Sequence, residues 1–289
     1  MSWVSVDQDK CNSCGLCVTR CIRCFSDHDG EILADANVDN CNLCGHCVAL
    51  CPTSAIEHHQ MDMSGFVEYA QTASIDTATF IQFLRERRSH RHFKDKPVSR
   101  ETLETLVDIC RYAPTGSNVQ DVEIIVTRDQ EKIKQYSDLT IDCFLTLVEP
   151  AREKMQELKA AGKHDTNEYL FYQRNMERGR LFELARNAGF DPILHKAPAV
   201  MIFHSPSITS TPKDNGVIAS TTAALTARTM GLEACYIGLM EFAANGYPAL
   251  TQALDLPQGH QVYSIIILGY PKLKFLRAVD RKPMAVRWE

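Results

Sequence analysis

No stretch of the chain is apolar for long enough to cross a bilayer. Runs such as Ile265-Ile266-Ile267-Leu268 cover a small part of the roughly 20 residues that a spanning helix needs. Met1 to Asp7 has neither the basic nor the apolar segment of a signal peptide. No two glycines stand two apart, so the Gly-x-Gly-x-x-Gly turn of a dinucleotide-binding domain is missing. Basic residues are not in excess either. Over residues 1–60 eight acids face three bases, and over 61–289 the 28 acids and 28 bases balance, giving −5 in all. Nucleic acid would call for a basic footprint, so that class of partner is excluded, as is a membrane. With no export signal, the expected setting is the reducing cytoplasm, where cysteines ligate metals rather than pair as disulfides.

Cysteine is scarce over most of the chain and dense at one end. Nine of the 12 fall within the first 51 residues. Cys110, Cys143 and Cys235 stand alone and read as small buried hydrophobes. The dense segment repeats itself at an offset of thirty: Asp9, Cys11, Asn12, Cys14, Gly15, Cys17, Val18 and Cys21 recur as Asp39, Cys41, Asn42, Cys44, Gly45, Cys47, Val48 and Cys51. Each half is C-x2-C-x2-C-x3-C. Three cysteines at this spacing wrap one face of an iron–sulfur cubane, and the fourth turns toward the neighbouring cluster. The expected ligand sets are therefore Cys11, Cys14, Cys17 and Cys51 for one [4Fe-4S] cluster, and Cys41, Cys44, Cys47 and Cys21 for the other. Zinc would use two separated C-x2-C pairs rather than two runs of four. Residues 1–60 resemble the bacterial two-cluster ferredoxins, with one departure: Pro52 follows Cys51, but Ile22 follows Cys21. Cys24 is surplus and reads as a buried thiol. Residues 61–76, with Gly65 and several hydroxyl residues, read as a linker that Phe66 and Tyr69 pin down.

From residue 77 onward the composition is that of an ordinary folded body. Asp76 or Thr77 caps a helix with Phe80, Ile81, Phe83 and Leu84 on its apolar face. It runs into Arg87-Arg88-Ser89-His90-Arg91-His92-Phe93, a turn crowded with guanidinium groups. Ser99 caps a second helix, with Leu103, Leu106, Val107 and Cys110 on one face. Next come the donor-rich turn Ala113-Pro114-Thr115-Gly116-Ser117-Asn118-Val119-Gln120 and a β-branched strand over 122–127. Charged helices are expected over 149–161 and 167–188, where Tyr169, Phe171, Tyr172 and Phe182 each read as helix packing. His195-Lys196-Ala197-Pro198 leads into a strand over 199–204. Asp214-Asn215-Gly216 opens an apolar helix that closes toward Cys235, with Tyr236-Ile237-Gly238 after it. A last strand over 262–268 precedes the tail carrying Arg281-Lys282-Pro283.

In this order, Arg-Arg-Ser-x-Arg-x-Phe, the Ala-Pro-Thr-x-Ser-Asn-x-Gln turn and the closing strand resemble the FMN-dependent nitroreductase family across nearly all of 77–289. The chemistry agrees with that resemblance. A flavin phosphate wants forked guanidinium donors, which Arg87, Arg88 and Arg281 supply, with Lys282 as a point charge. Ser89 and Arg91 suit the pyrimidine oxygens. The resemblance further implies that Pro114, Thr115, Ser117, Asn118 and Gln120 contact the flavin from a partner subunit, and that the backbone of Ile237 and Gly238 lies near its N5. No side chain is assigned a catalytic role. His90, His92, His195 and His204 read as structural or surface residues, and Cys235 as core.

The expected fold is α+β: a mixed sheet flanked by helices over 77–289, with a ferredoxin-like domain at 1–60. The expected function is a homodimeric flavin oxidoreductase holding FMN at the interface. Two clusters, charged by a low-potential donor such as a ferredoxin, pass electrons to FMN for an electron-poor acceptor: a nitro compound, a quinone or an activated double bond. The alternative is a non-catalytic electron-transfer or redox-sensing module in which FMN is a relay to a partner protein.

Overall fold

A computed structural model describes residues 2–69 and 73–289. Its contacts divide the chain into two compact units, Met1–Ile75 with Ser117–Val119, and Asp76–Gly116 with Gln120–Glu289. Part of the expected linker, residues 70–72, lies outside the described residues.

The thirty-residue repeat of the sequence reappears in the backbone of the first unit. Strand β1 (Val4–Val6), helix α1 (Leu16–Arg20), strands β2 (Phe25–His28) and β3 (Glu31–Ala34), helix α2 (His46–Leu50) and strand β4 (Ile56–His58) follow in order. β1 pairs antiparallel with β4, and β2 with β3. Each short helix opens at a left-handed glycine, Gly15 at φ 70° and Gly45 at φ 67°, and Ser13 and Leu43 both stand at φ 55°. Left-handed backbone is cheap for glycine, and it turns the chain sharply between successive cysteines. Val4, Phe25, Ile32, Ala36 and Ile56 form a small core among the thiols. A Cβ on Gly45 would stand 2.9 Å from the Phe66 ring, so Phe66 packs there as expected, whereas Tyr69 is exposed.

The second unit is built on one sheet. Helix α3 (Thr77–Glu86) is capped by Asp76, and α4 (Arg100–Cys110) by Ser99, as the sequence indicates. Strand β5 (Glu123–Thr127) is followed by helices α5 (Gln130–Thr146), α6 (Val148–Ala160) and α7 (Asn167–Asn187). Strand β6 (Ala199–Pro206), helix α8 (Pro212–Thr229), strand β7 (Glu233–Tyr236), helices α9 (Gly238–Gly246) and α10 (Pro248–Leu254) and strand β8 (His260–Gly269) complete it. The strand order is β5-β6-β8-β7. Side chains of β6 and β8 alternate between two cores with the period of a strand. Val200, Ile202, Ile265 and Ile267 join residues of α5, α9 and α10, while Ala199, Met201, Phe203, Ile266 and Leu268 join residues of α4 and α8. Each such aliphatic side chain, fully buried, contributes about 1.5–3 kcal/mol.

The expectation of a mixed sheet is corrected: all three pairings are antiparallel. Helix α8 does carry the chain from β6 to a β7 that runs the same way. Strand β8 returns between them, antiparallel to both, and separates the parallel neighbours that a mixed sheet would need. The aromatics of α7 divide: Phe182 packs edge-on against Phe144 with ring centres 5.5 Å apart, while Phe171 is exposed.

Candidate functional site

The arginine-rich turn begins where α3 ends. The Arg87 amide donates to the Leu84 carbonyl, and the chain then leaves the helix in extended form. Main-chain bonds lay the turn along the sheet: the His90 amide donates to Ala234 of β7 at 3.1 Å, Lys272 to His92 at 2.9 Å, and Lys94 to Tyr270 at 2.8 Å. The turn thus runs beside the strand that leads directly to Ile237 and Gly238. Ser89 and Arg91 are exposed, and Arg87 and Arg88 are half-buried. The Nε of Arg88 is buried and has no hydrogen-bond partner among the described residues, while its guanidinium carbon lies 5.8 Å from the Phe275 ring centre.

Two residues that sequence reasoning missed brace this turn. Arg228, at the end of α8, donates through Nε to Glu233 at 3.0 Å, lies 3.6 Å from the Glu86 carboxylate, and donates to the Phe83 carbonyl. Its guanidinium also stands 4.6 Å over the Phe83 ring. Glu233 in turn lies 3.8 Å from the buried His90 ring. Burial lowers the proton affinity of His90, and the neighbouring Arg228 and Arg88 add to that, while Glu233 opposes it. The arginines of the turn are thereby held on a frame of α3, α8 and β7.

The donor-rich turn is fixed at the other end of α8. The buried Asn215 accepts from the Gly116 amide at 2.9 Å and donates to the Ser210 carbonyl at 2.7 Å. A Cβ on Gly116 would stand 2.4 Å from Thr211 Oγ1 and 2.6 Å from Ser210 Oγ, so any larger residue forces these side chains at the start of α8 to move. Thr115 Oγ1 accepts from the Gln120 amide at 3.1 Å, and Pro114 and Gln120 are exposed. Ser117, Asn118 and Gln120 all have positive φ. Within the first unit, the Asn118 side chain donates to the carbonyls of Asn42 and Leu43 at 2.9 and 3.0 Å. Asn215 stood in a trio singled out in the sequence, but as a helix start; its side-chain role was not legible there.

Ile237 is buried, with its amide bonded to the Ile265 carbonyl, and serves as N-cap of α9. Gly238 opens that helix, is exposed, and has open space where a Cβ would stand. Its amide belongs to the first helical turn, whose N–H groups have no acceptor within the helix. Arg281 and Lys282 lie in the exposed, irregular tail. A basin of about 1020 Å³ lies beside Arg91, lined also by Lys94, Lys96, Arg128, Lys132 and Lys196. This concentration of positive charge attracts anions.

In the first unit, Cys11, Cys14, Cys17 and Cys51 line one cavity, bringing three residues of the first cysteine run together with the last of the second. Cys51 Sγ accepts from the Ala55 amide at 3.2 Å. Burial raises the Cys47 thiol to about 11, and Cys44 and Cys41 act on it as neighbouring charges. The surplus Cys24 is buried and lies 3.3 Å from the Asn40 carbonyl. Burial, then the nearby Cys21 and Cys41, push its thiol up to about 12.

A model of the nitroreductase family matches residues 84–270. An Archaeoglobus fulgidus protein provisionally named NADH dehydrogenase/NAD(P)H nitroreductase is 24% identical over 207 residues, which span 70% of this chain and 91% of that protein. The crystal structure of a nitroreductase with bound FMN from Bacteroides fragilis superposes with a TM-score of 0.54 at 16% identity, covering 72% of this chain and 98% of that one. An FMN-bound nitroreductase from Desulfitobacterium hafniense gives 0.51 at 20% identity, covering 72% and 97%. At these identities the structural likeness is one of fold.

Proposed function

The chain belongs to the nitroreductase family, and from that premise we propose that it is an FMN-dependent oxidoreductase, fed with single electrons through two [4Fe-4S] clusters and acting on an electron-poor organic acceptor. The observation that carries the flavin reading is the Arg87–Arg91 turn, laid beside the strand that delivers Gly238, with the buried Nε of Arg88 lacking a partner. A buried donor left unpaired costs about 1–3 kcal/mol, which an anionic ligand would recover. The open space at Gly238 fits a flat ring against the main chain.

When bound, FMN would supply two-electron reduction at N5 and would accept electrons singly. The chain's own part is binding and electrostatics. Arg87 and Arg88, joined by Arg281 and Lys282 of the tail, would hold the phosphate through charge-assisted bonds. Ser89 and Arg91 would face the pyrimidine edge, where positive charge favours an anionic reduced ring. The bracing of the turn by Arg228 and Glu233 fixes these donors before the ligand arrives, which lowers the ordering cost of binding. Nitro compounds, quinones and activated double bonds are the acceptor classes such a site would take.

The places where the two turns are anchored support a homodimer. The arginine turn is braced by Arg228 and the donor turn by Asn215, 13 residues apart on α8. That is about 20 Å along the helix axis. The donors of 114–120, apart from the Asn118 amide engaged by Asn42 and Leu43, would then complete the site of a second copy rather than their own. Consistent with a covered surface, Phe80, Ile81 and Leu84 of α3 and Phe275, Leu276 and Trp288 of the tail are exposed in the single chain.

For the clusters, the donor set fits: eight thiols in two sets of four, one set converging on a single cavity. Cys11, Cys14, Cys17 and Cys51 would hold one cluster, and Cys41, Cys44, Cys47 and Cys21 the other. The test is anaerobic stopped-flow mixing of the reduced protein with a panel of nitroarenes and quinones. Flavin reoxidation should be much faster with at least one acceptor than with buffer. A rate equal to that in buffer for the whole panel would overturn the reductase reading.

A further inference from the structure

At one end of the sheet in the second unit, three neighbouring strands bring two imidazoles and a carboxylate together. Glu123 opens β5, His204 lies in β6, and His260 opens β8. Glu123 stands directly opposite His204, so the two side chains share a face. His260 stands opposite Pro206, two residues beyond His204, and so falls on the same face. The Nδ1 atoms of His204 and His260 are 2.9 Å apart, and one ring nitrogen of each histidine and a carboxylate oxygen of Glu123 all lie within 4.8 Å of one another. His204 is buried, His260 half-buried and Glu123 exposed.

A single shared proton would account for the approach of the two rings, with the Glu123 carboxylate acting on the pair only as a nearby negative charge. A cation accounts for all three groups. Nitrogens bound at about 2.05 Å to one ion stand about 2.9 Å apart at a right angle and about 3.3 Å apart at the tetrahedral angle. We propose that Glu123, His204 and His260 form a binding site for a divalent transition-metal cation of the zinc class, which fastens β5, β6 and β8 at one end of the sheet. Two imidazoles and one carboxylate are a donor set that such ions take, with water completing the shell on the exposed side of Glu123. The neutral imidazole is the form that ligates. The site is separate from the expected flavin and cluster ligands and rests on neither.

The probe is Co2+, added anaerobically to the full-length protein as purified. Cobalt held by imidazole and carboxylate absorbs in the visible without the near-ultraviolet sulfur-to-cobalt charge transfer of a thiolate site. It is therefore distinguished from capture by the cysteines. The wild type should take up one equivalent of this sulfur-free type, and Zn2+ should displace it and raise Tm. Losing an outer-shell partner alone costs 10–100-fold in affinity, so Glu123→Gln and His260→Gln should each weaken binding by at least about 100-fold and abolish the Tm rise. Glu123 is exposed, so Glu123→Gln keeps the fold, with an unchanged circular dichroism spectrum. Sulfur-free uptake that is absent from the wild type, or equally tight in both variants, would overturn the proposal.

Discussion

Single side chains decide whether the arginine turn can work. Arg87→Ala removes a forked donor that the flavin reading assigns to the phosphate. On that reading it should release FMN, with at least a tenfold rise in Kd by fluorescence titration, while the visible absorbance of the proposed clusters is unchanged. Loss of both chromophores would mean that Arg87 supports the fold instead. Arg228 has a different part. It is 9% exposed beside Glu233 at 15%, so Arg228→Met strands a nearly buried carboxylate. Breaking such a pair from one side costs about 3 kcal/mol, which urea denaturation would register as a lower midpoint with an unchanged slope. The two variants separate binding from bracing: one loses ligand with stability retained, and the other loses stability first.

At the scale of elements, local signals are legible in the sequence and the assembly is not. The caps Asp76 and Ser99, the β-branched run of β5, the apolar runs of β6 and β8, and the arginine turn are each written in consecutive residues, where capping and strand propensity act. The insertion of β8 between β6 and β7 was not legible, because strand order is set by how helices α8, α9 and α10 cover the two faces. Nor was the Arg228 brace, whose contact with Phe83 spans 145 residues of sequence. The donor turn shows both sides of this. Its composition marked it as a site, but only the structure ties it to α8 through Asn215. Gly116→Ala tests that tie, since its Cβ would meet Thr211 and Ser210 at 2.4 and 2.6 Å. The variant should lose about 1–3 kcal/mol by overpacking and bind FMN more weakly, and thermal unfolding with and without FMN would separate the two effects.

At the scale of the whole molecule, stability and cofactor content are the readable quantities. Burial lowers the proton affinity of both His195 and His204 in the folded chain. Below the ordinary histidine value of about 6.5, the unfolded chain therefore binds more protons than the folded one, and stability rises with pH. That contribution is complete above about pH 7 and is lost progressively as pH falls through 6.5 toward the folded values. Tm should drop between about pH 7.5 and 5.5, and less steeply in His195→Asn, since asparagine tolerates the φ of 56° found at His195.

If one chain holds both a flavin and two clusters, as proposed, its cofactor content is fixed. Protein purified under strict anaerobiosis should contain one FMN, about eight iron atoms and about eight acid-labile sulfides per chain, as two four-iron clusters require. Zinc in place of iron, or iron and sulfide at full stoichiometry with no affinity for FMN, would contradict it.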